Sequence, residues 1–297
     1  MSELSLHQAI TQFLSRLTQE SALGSATQQA YQRDLRAFEQ WCDQQGLGQI
    51  QDIDTHAIRG FAASEHRRGL SPRSIQRRLS GIRRFFKTLR QQGALKADPT
   101  EGVKAPKVRR KLPETLDIDQ VLALLNIPTD TPIAVRDRAM LELFYASGLR
   151  VSELTALKWR DLDVAEGLVK VLGKGQKERL VPVGRHALSA LNAWRQEQPA
   201  GTEHLFTNPA GRQLSVRALQ KRVAYWSQHQ GLDQRVHPHQ LRHSFASHIL
   251  QSSGDLRAVQ ELLGHANLST TQIYTHLDYQ HLAKIYDETH PRAKKPK

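Results

Sequence analysis

The sequence has a single cysteine, Cys42, among 297 residues, and no apolar run long enough to cross a bilayer. One thiol forms no internal disulfide and no cysteine-based zinc site, which fits a reducing cytoplasm. A membrane-spanning helix needs about 20 apolar residues, and the amphipathic N-terminus lacks the charged start and apolar run of a signal peptide. We therefore expect a cytoplasmic protein without membrane insertion, and a disulfide-stapled secreted scaffold is excluded.

Acidic residues are also scarce. The chain has 29 Asp and Glu residues and 42 Lys and Arg residues, which gives a net charge of +13. No acidic residue lies between His66 and Ala97. At 39% hydrophobic residues the chain is globular rather than disordered. A soluble protein this basic usually meets a polyanion, most often nucleic acid, and a well-solvated basic surface is the alternative.

Two familiar catalytic motifs are missing. The glycines of "GKGQK" do not match the phosphate-binding P-loop, and no helix follows them. "HQLRH" places His239 and His243 at the spacing of zinc metalloproteases, but Gln240 stands where those enzymes have a glutamate base. Arg242 would also put a positive charge beside the metal. The sequence therefore disfavours a zinc hydrolase, and we expect no metal site.

The N-terminal part is predicted to be helical and basic. "LSPRSIQRRLSGIRRFFKTLRQQG" predicts a helix with Ser71 as its cap and Pro72 in its first position. The face opposite its apolar stripe is cationic, and like charges three and four apart repel unless a phosphate backbone neutralises them. A solvated face would normally mix in acidic residues. The residues predicted to bind DNA are Arg73, Arg77, Arg78, Arg83, Arg84 and Lys87.

The pattern changes near residue 100 and predicts two domains. "ADPTEGVKAPKVRRKLPETL" has three prolines and no helical periodicity, as is typical of a linker. "GLVKVLGKGQKERLVPVG" alternates apolar and polar residues on both sides of Gly173–Gly175, which predicts a β-hairpin between helices. We expect a mainly α chain, with a helical DNA-binding domain at 1–105, a linker at 106–116, and a mixed α+β domain at 117–297.

The second domain carries scattered residues that suit phosphate chemistry. An arginine fork matches two phosphate oxygens, and a tyrosine, with an ordinary pKa near 10, becomes a nucleophile only beside a base and cations. Each candidate alone has an ordinary structural interpretation; Arg150, for example, lies at a helix junction where Ser152 could cap the next helix. The candidates are Arg150, Lys174, His239, Arg242, His265 and Tyr274.

Taken in that order, the set resembles the tyrosine recombinase, or phage integrase, family. The resemblance covers nearly the whole chain, through "GLRVSELTALKW", "GKGQKERLVPV", "HPHQLRHSFASHIL" and "LLGHANLSTTQIYTH". Within the family these strings are most similar to the bacterial Xer subfamily. The resemblance implies a SAM-like, core-binding helical bundle followed by a catalytic domain with a small β-hairpin or sheet.

The resemblance also implies a role for each candidate. Tyr274 would attack the scissile phosphate and form a 3′-phosphotyrosyl link, while Arg150 and Arg242 would hold the non-bridging oxygens. Lys174 would donate a proton to the leaving 5′-oxygen, His239 would act as acid/base toward the tyrosine, and His265 would hydrogen-bond the phosphate. Bond energy stays in the ester, so the resemblance implies no ATP, metal or other cofactor.

Partners are implied by the resemblance alone. They are a specific double-stranded recombination site, a related XerD-type recombinase in a cyclic heterotetramer, and an FtsK-type septal DNA translocase that controls chromosome dimer resolution. The last segment, "YQHLAKIYDETH", would dock into a neighbouring subunit. Two alternatives stay open: a DNA-binding regulator on the same scaffold without catalysis, and a type IB-like topoisomerase.

Overall fold

The structure is a computed structural model that describes residues 4–19, 25–107, 115–173, 178–263 and 290–291. It divides into two compact units, Met1–Arg110 and Lys111–Lys297. The described residues form mostly α-helices and one small antiparallel sheet, so the mainly α class predicted from the sequence is confirmed. No helix in the described ranges has the length and apolar content required to span a membrane.

The described part of the first unit is a bundle of four α-helices. The predicted cap of α4 is confirmed, because the Ser71 hydroxyl accepts a hydrogen bond from the Ser74 amide and Pro72 occupies the first turn. Cys42 is fully buried in the core, and burial raises the pKa of its thiol to about 12. The helices are α1 Leu6–Gln19, α2 Ser25–Gln44, α3 Thr55–Arg67 and α4 Pro72–Gln91, with a 3-10 turn at Ile50–Asp52.

Close packing in this unit depends on the apolar stripe of α4. The predicted stripe is buried, and its Phe86 packs edge-to-face against Phe38 of α2, while the neighbouring Phe85 packs in the same way against Phe13 of α1. A Cβ at Gly81 would lie 3.0 Å from the Tyr31 ring of α2, so the glycine allows the two helices to approach closely. The stripe consists of Ile75, Leu79, Ile82, Phe86 and Leu89.

The described part of the second unit contains seven α-helices and three strands. Its core surrounds α6, which is buried on nearly all sides and packs against α8 and α10. The helices are α5 Ile118–Leu125, α6 Pro132–Ser147, α7 Val151–Ala156, α8 Arg185–Glu197, α9 Val216–His229, α10 Pro238–Ser253 and α11 Leu256–Leu263, and a 3-10 turn covers Trp159–Asp161.

The predicted hairpin is the centre of a three-stranded antiparallel sheet. The strands are β1 Leu162–Asp163, β2 Leu168–Leu172 and β3 Glu178–Pro182, in the order β1-β2-β3. Val169 pairs with Val181, and Val171 pairs with Arg179. Since paired residues project to the same face of a sheet, this register places Arg179 on the buried valine face.

Buried polar contacts fix α10 on two sides. The Tyr145 hydroxyl of α6 lies 2.8 Å from His248 Nδ1, and the Leu116 amide donates to the Ser244 hydroxyl at 2.9 Å. His290, the last residue of the segment predicted to dock into a neighbour, is buried with its ring 4.9 Å from that of Tyr145 in the same chain. The rest of that segment lies outside the described residues, so its exchange between subunits stays a prediction.

Candidate active site

Three of the six predicted catalytic residues belong to the described part of the chain. They are Arg150, His239 and Arg242, which lie at the start of α7 and in the first two turns of α10. Lys174, His265 and Tyr274 lie outside the described residues. Their roles therefore stay predictions.

Arg150 is held at the junction between α6 and α7. Gly148 ends α6 in the left-handed region, at φ 55°, which turns the chain so that Arg150 becomes the N-cap of α7. The Arg150 amide donates to Glu153 Oε2 at 2.8 Å, and its Nη1 donates to Glu153 Oε1 at 2.8 Å. The possibility that Ser152 caps α7 is wrong, because Ser152 lies inside the helix and the Glu153 side chain accepts from the amide of the N-cap, Arg150.

Glu153 also binds a second arginine, Arg179 of β3. Arg179 Nη1 and Nη2 donate to the two Glu153 oxygens at 3.0 and 2.9 Å, a two-pronged pair between side chains that are 11% and 6% exposed. Burial alone would raise the pKa of Glu153, but the hydrogen bonds from Arg179 and Arg150 outweigh it and hold that pKa below its ordinary value. Glu153 is therefore an anion that fixes Arg150 in place.

Arg242 approaches the same junction from α10. Its Nη1 donates to the Gly148 carbonyl, and its Nη2 donates to the Leu263 carbonyl at 2.8 Å. Burial, together with the positive charge of Arg150, lowers the pKa of Arg242 to about 10, so the side chain is still cationic at neutral pH. Two neighbouring guanidinium groups that repel each other form a site where a bound anion is favoured.

His239 lies three residues before Arg242, on the first turn of α10. Pro238 occupies the first turn of α10, and the His239 side chain is exposed. The His237 amide donates to the Gln240 side chain at 2.7 Å, which closes the helix start. The positive end of the helix dipole and the Arg242 side chain thus lie close to this histidine, a setting that suits an anionic ligand.

Glu153 and Arg179 were not among the residues predicted for the site. The alternation of β3 carried a signal for Arg179, because it places this charged residue on the same face as the apolar Val181. A charged side chain on an apolar face requires a buried partner. No local pattern identified Glu153 as that partner, since the two residues are 26 positions apart.

Within the described ranges, no three His, Cys, Asp or Glu side chains converge as a metal site would require. The groups of the described site that suit a phosphate are the guanidinium groups of Arg150 and Arg242.

The basic face predicted on α4 is partly occupied by contacts within its own unit. Arg77 pairs with Asp34, and Arg78 pairs with Asp34 and Glu65, two carboxylates that are 1% exposed. The first unit thus uses these cations to neutralise buried acids. Removing either one would leave a buried carboxylate with one cation fewer. Since Arg77 is 49% exposed and each acid keeps a second arginine, we expect a cost well below the roughly 3–5 kcal/mol of breaking a fully buried pair.

Two further arginines of this face also have contacts. Arg83 Nη2 donates to the Val103 carbonyl at 2.6 Å, and the Arg84 guanidinium lies 5.6 Å from the centre of the Tyr31 ring. Arg73 and Lys87 are exposed, and no ion pair with them occurs among the described residues. DNA binding by the whole set stays a prediction. Arg73 and Lys87 are the best residues for testing it, because replacing them removes no described ion pair.

We expect Arg73→Ala with Lys87→Ala to weaken DNA binding through lost phosphate contacts. The slope of log affinity against log salt should fall by about 2, one for each phosphate contact. Fluorescence anisotropy at several salt concentrations measures this. Arg16→Ala with Arg36→Ala removes the same charge from exposed positions on α1 and α2. If both double variants change the slope equally, α4 has no special role.

Comparison with known proteins decides the family. The sequence profile described as "Phage integrase family" matches residues 114–281, and that described as "Phage integrase, N-terminal SAM-like domain" matches residues 10–93. The chain belongs to the phage integrase family. This confirms the resemblance inferred from the motifs, and the SAM-like domain coincides with the described helices of the first unit.

Individual members of the phage integrase family match nearly the full chain. Tyrosine recombinase XerC of Xanthomonas campestris pv. campestris (strain B100) is 53% identical over 97% of this chain and 90% of its own length. Tyrosine recombinase XerC of Salmonella typhi is 51% identical, with both chains covered completely. These relatives confirm the similarity to the Xer subfamily.

Solved structures of the family share the fold. A post-cleavage complex of the XerH site-specific recombinase with palindromic difH substrate has a TM-score of 0.69 and 27% identity, covering 88% of this chain and 79% of that one. A lambda integrase (75–356) dimer bound to a COC′ core site has a TM-score of 0.70 over 91% of this chain and 100% of that one; at 20% identity it supports the fold alone.

Proposed function

We propose that this chain is a site-specific tyrosine recombinase that cuts and rejoins double-stranded DNA through a 3′-phosphotyrosyl intermediate. The observation that carries the proposal is the charge of the described site. Glu153 is the carboxylate that binds Arg150 and Arg179, and the guanidinium of Arg242 lies near enough to feel the charges of all three. The surplus of two positive charges suits a phosphodiester whose negative charge grows in the transition state.

Cleavage begins at the scissile phosphate, which Arg150 and Arg242 hold by its non-bridging oxygens. The Tyr274 oxygen forms a bond to phosphorus as the bond to the 5′-oxygen breaks, and the tyrosine proton passes to His239. Lys174 donates a proton to the departing 5′-oxygen, and His265 hydrogen-bonds the phosphate. The products are a 3′-phosphotyrosyl link and a free 5′-hydroxyl.

Rejoining reverses the same step with a different strand. The 5′-hydroxyl of the partner strand attacks the phosphotyrosyl link, and Tyr274 leaves with its proton restored. One ester is exchanged for another, so neither ATP nor another cofactor is required. The arginines supply the charge stabilisation that metal ions supply in many other phosphoryl-transfer enzymes.

The biological role is inferred from the names of the relatives. Because they are named tyrosine recombinase XerC, we infer that this chain acts on a short chromosomal recombination site in the cytoplasm. The partner would be a related XerD-type recombinase in a cyclic heterotetramer, with exchange controlled by an FtsK-type septal translocase. The outcome would be the resolution of chromosome dimers before cell division.

Trapping on a nicked suicide substrate tests the proposal. A nick close to the scissile phosphate lets the short 5′-hydroxyl strand diffuse away, so the covalent intermediate accumulates. We expect a protein–DNA adduct in EDTA and without nucleotide, and peptide mapping should place the DNA on Tyr274. Tight binding without any adduct would favour the regulator, and relaxation of supercoiled plasmids that lack the site would favour the topoisomerase.

A further inference from the structure

Arg179 enters the site from a strand rather than from the helices that carry the other arginines. It is the second residue of β3 and forms a cross-strand pair with Val171 of β2. Its side chain is 11% exposed and binds Glu153 of α7 with both terminal nitrogens. An arginine this buried contributes little to an electrostatic surface, so its effect has to pass through the carboxylate that it binds.

The Glu153 carboxylate accepts four hydrogen bonds, two from each arginine. Arg179 provides Nη1 and Nη2, and Arg150 provides its backbone amide and Nη1. Both carboxylate oxygens are therefore used twice, which fixes the plane of the group. A fixed carboxylate holds the Arg150 guanidinium, which is 39% exposed, at one position beside the site.

The negative charge of Glu153 requires Arg179 as a second cationic partner besides Arg150. Without Arg179, a buried carboxylate would have Arg150 as its remaining arginine donor in the described site, and the full Coulombic attraction would act on that guanidinium. Glu153 would then compete with the phosphate for Arg150. With Arg179 present, the carboxylate is already neutralised, and the charge of Arg150 is available to the substrate.

We propose that Arg179 is a positioning residue for strand cleavage, which neutralises Glu153 so that Arg150 can bind the non-bridging phosphate oxygen. The inference rests on the proposed recombinase function, and it assigns Arg179 no contact with DNA. The loss on removing Arg179 should thus appear in the cleavage rate, with the affinity for DNA preserved.

Single-turnover cleavage of the suicide substrate measures this effect. Arg179→Met should lower the rate about 100-fold, the size expected when one transition-state donor is misplaced. Arg179→Lys keeps the charge and loses the fork, so it should recover part of that rate. Lys170→Met is the matched control, because it removes a cation from the neighbouring strand whose pair with Glu178 is half-exposed, and it should cleave like the unchanged protein.

Two modified phosphates identify the group through which Arg179 acts. A methylphosphonate replaces a charged non-bridging oxygen by a methyl group and reduces the need for Arg150, so the penalty of Arg179→Met should shrink about tenfold. A 5′-bridging phosphorothiolate provides a leaving group that needs no proton donor, and the penalty on it should be unchanged. Relief on the phosphorothiolate alone would overturn the proposal, since Arg179 would then act through Lys174.

A double variant gives an independent readout. In a chain with Glu153→Gln the neutral amide no longer competes for Arg150, so adding Arg179→Met should slow cleavage by less than about threefold. A further 100-fold loss of cleavage rate in that double variant would show a purely structural role for Arg179. The same conclusion would follow if Arg179→Met lost rate equally on the ordinary, methylphosphonate and phosphorothiolate substrates and also had a lower melting temperature. The unchanged protein must form the adduct in the same experiment; if it does not, the recombinase proposal fails and the Arg179 comparison is never reached.

Discussion

Phenylalanine in place of Tyr274 should abolish the covalent protein–DNA adduct and leave the affinity for site DNA unchanged. The ring is retained, so any packing role of the side chain is preserved, and only the oxygen that would bond to phosphorus is removed. The described contacts of Arg150, Arg179 and Arg242 are made with the Glu153 carboxylate and with backbone carbonyls. The variant should therefore bind the phosphate and stop before the first chemical step.

The matched control for this variant is Tyr279→Phe, which removes the same oxygen five residues later in the same segment. It should form the adduct at the normal rate. Both variants are compared by gel shift for affinity and by denaturing electrophoresis for the adduct on the suicide substrate. An adduct that persists with Tyr274→Phe would refute the assignment of the nucleophile, and loss of the adduct in both would indicate a general role for the segment.

The elements with strong periodicity were predictable from the sequence. The stripe of α4, the hairpin of β2 and β3, and the end of α6 at Gly148 each depend on residues a few positions apart. Helix spacing likewise placed His239 and Arg242 on one turn of α10. Local propensity and tertiary packing agree in these segments, which is why short patterns were sufficient.

The ion pairs that arrange the site could not be predicted in the same way. Glu153 binds Arg179 from 26 residues away, and Arg77 binds Asp34 from 43 residues away. In the sequence an arginine that binds phosphate looks the same as one that neutralises a buried acid. The α4 face shows the consequence, because at least two of its six predicted DNA ligands hold carboxylates in the first unit.

The described site is assembled before any substrate arrives. Backbone carbonyls of Gly148 and Leu263 hold Arg242, and a carboxylate holds Arg150. Each guanidinium thus keeps its position despite repulsion from the other, and little reorganisation is needed when phosphate enters. Such preorganisation is the main source of electrostatic catalysis. It also means that a backbone change at the junction should affect both arginines at once.

Gly148→Ala is the variant that makes this change, and it should lower both stability and activity. Gly148 has φ 55°, where an alanine costs about 1–2 kcal/mol. A Cβ there would also lie 2.6 Å from Phe245 Cε1, so the ring or the backbone must move. Overpacking of this kind adds about 1–3 kcal/mol. We expect a total loss of about 2–5 kcal/mol in the free energy of unfolding, measured by urea denaturation.

Gly254→Ala separates backbone strain from the effect on the site. Gly254 ends α10 as Gly148 ends α6, at φ 68°, but its Cβ would meet no atom of the described residues within 4 Å. This control should lose about 1–2 kcal/mol and cleave DNA normally. Gly148→Ala should cleave more slowly even where it is fully folded, because the carbonyl that binds Arg242 and the turn that presents Arg150 both shift. Equal cleavage rates for the two folded variants would show that the junction does not set the positions of the arginines.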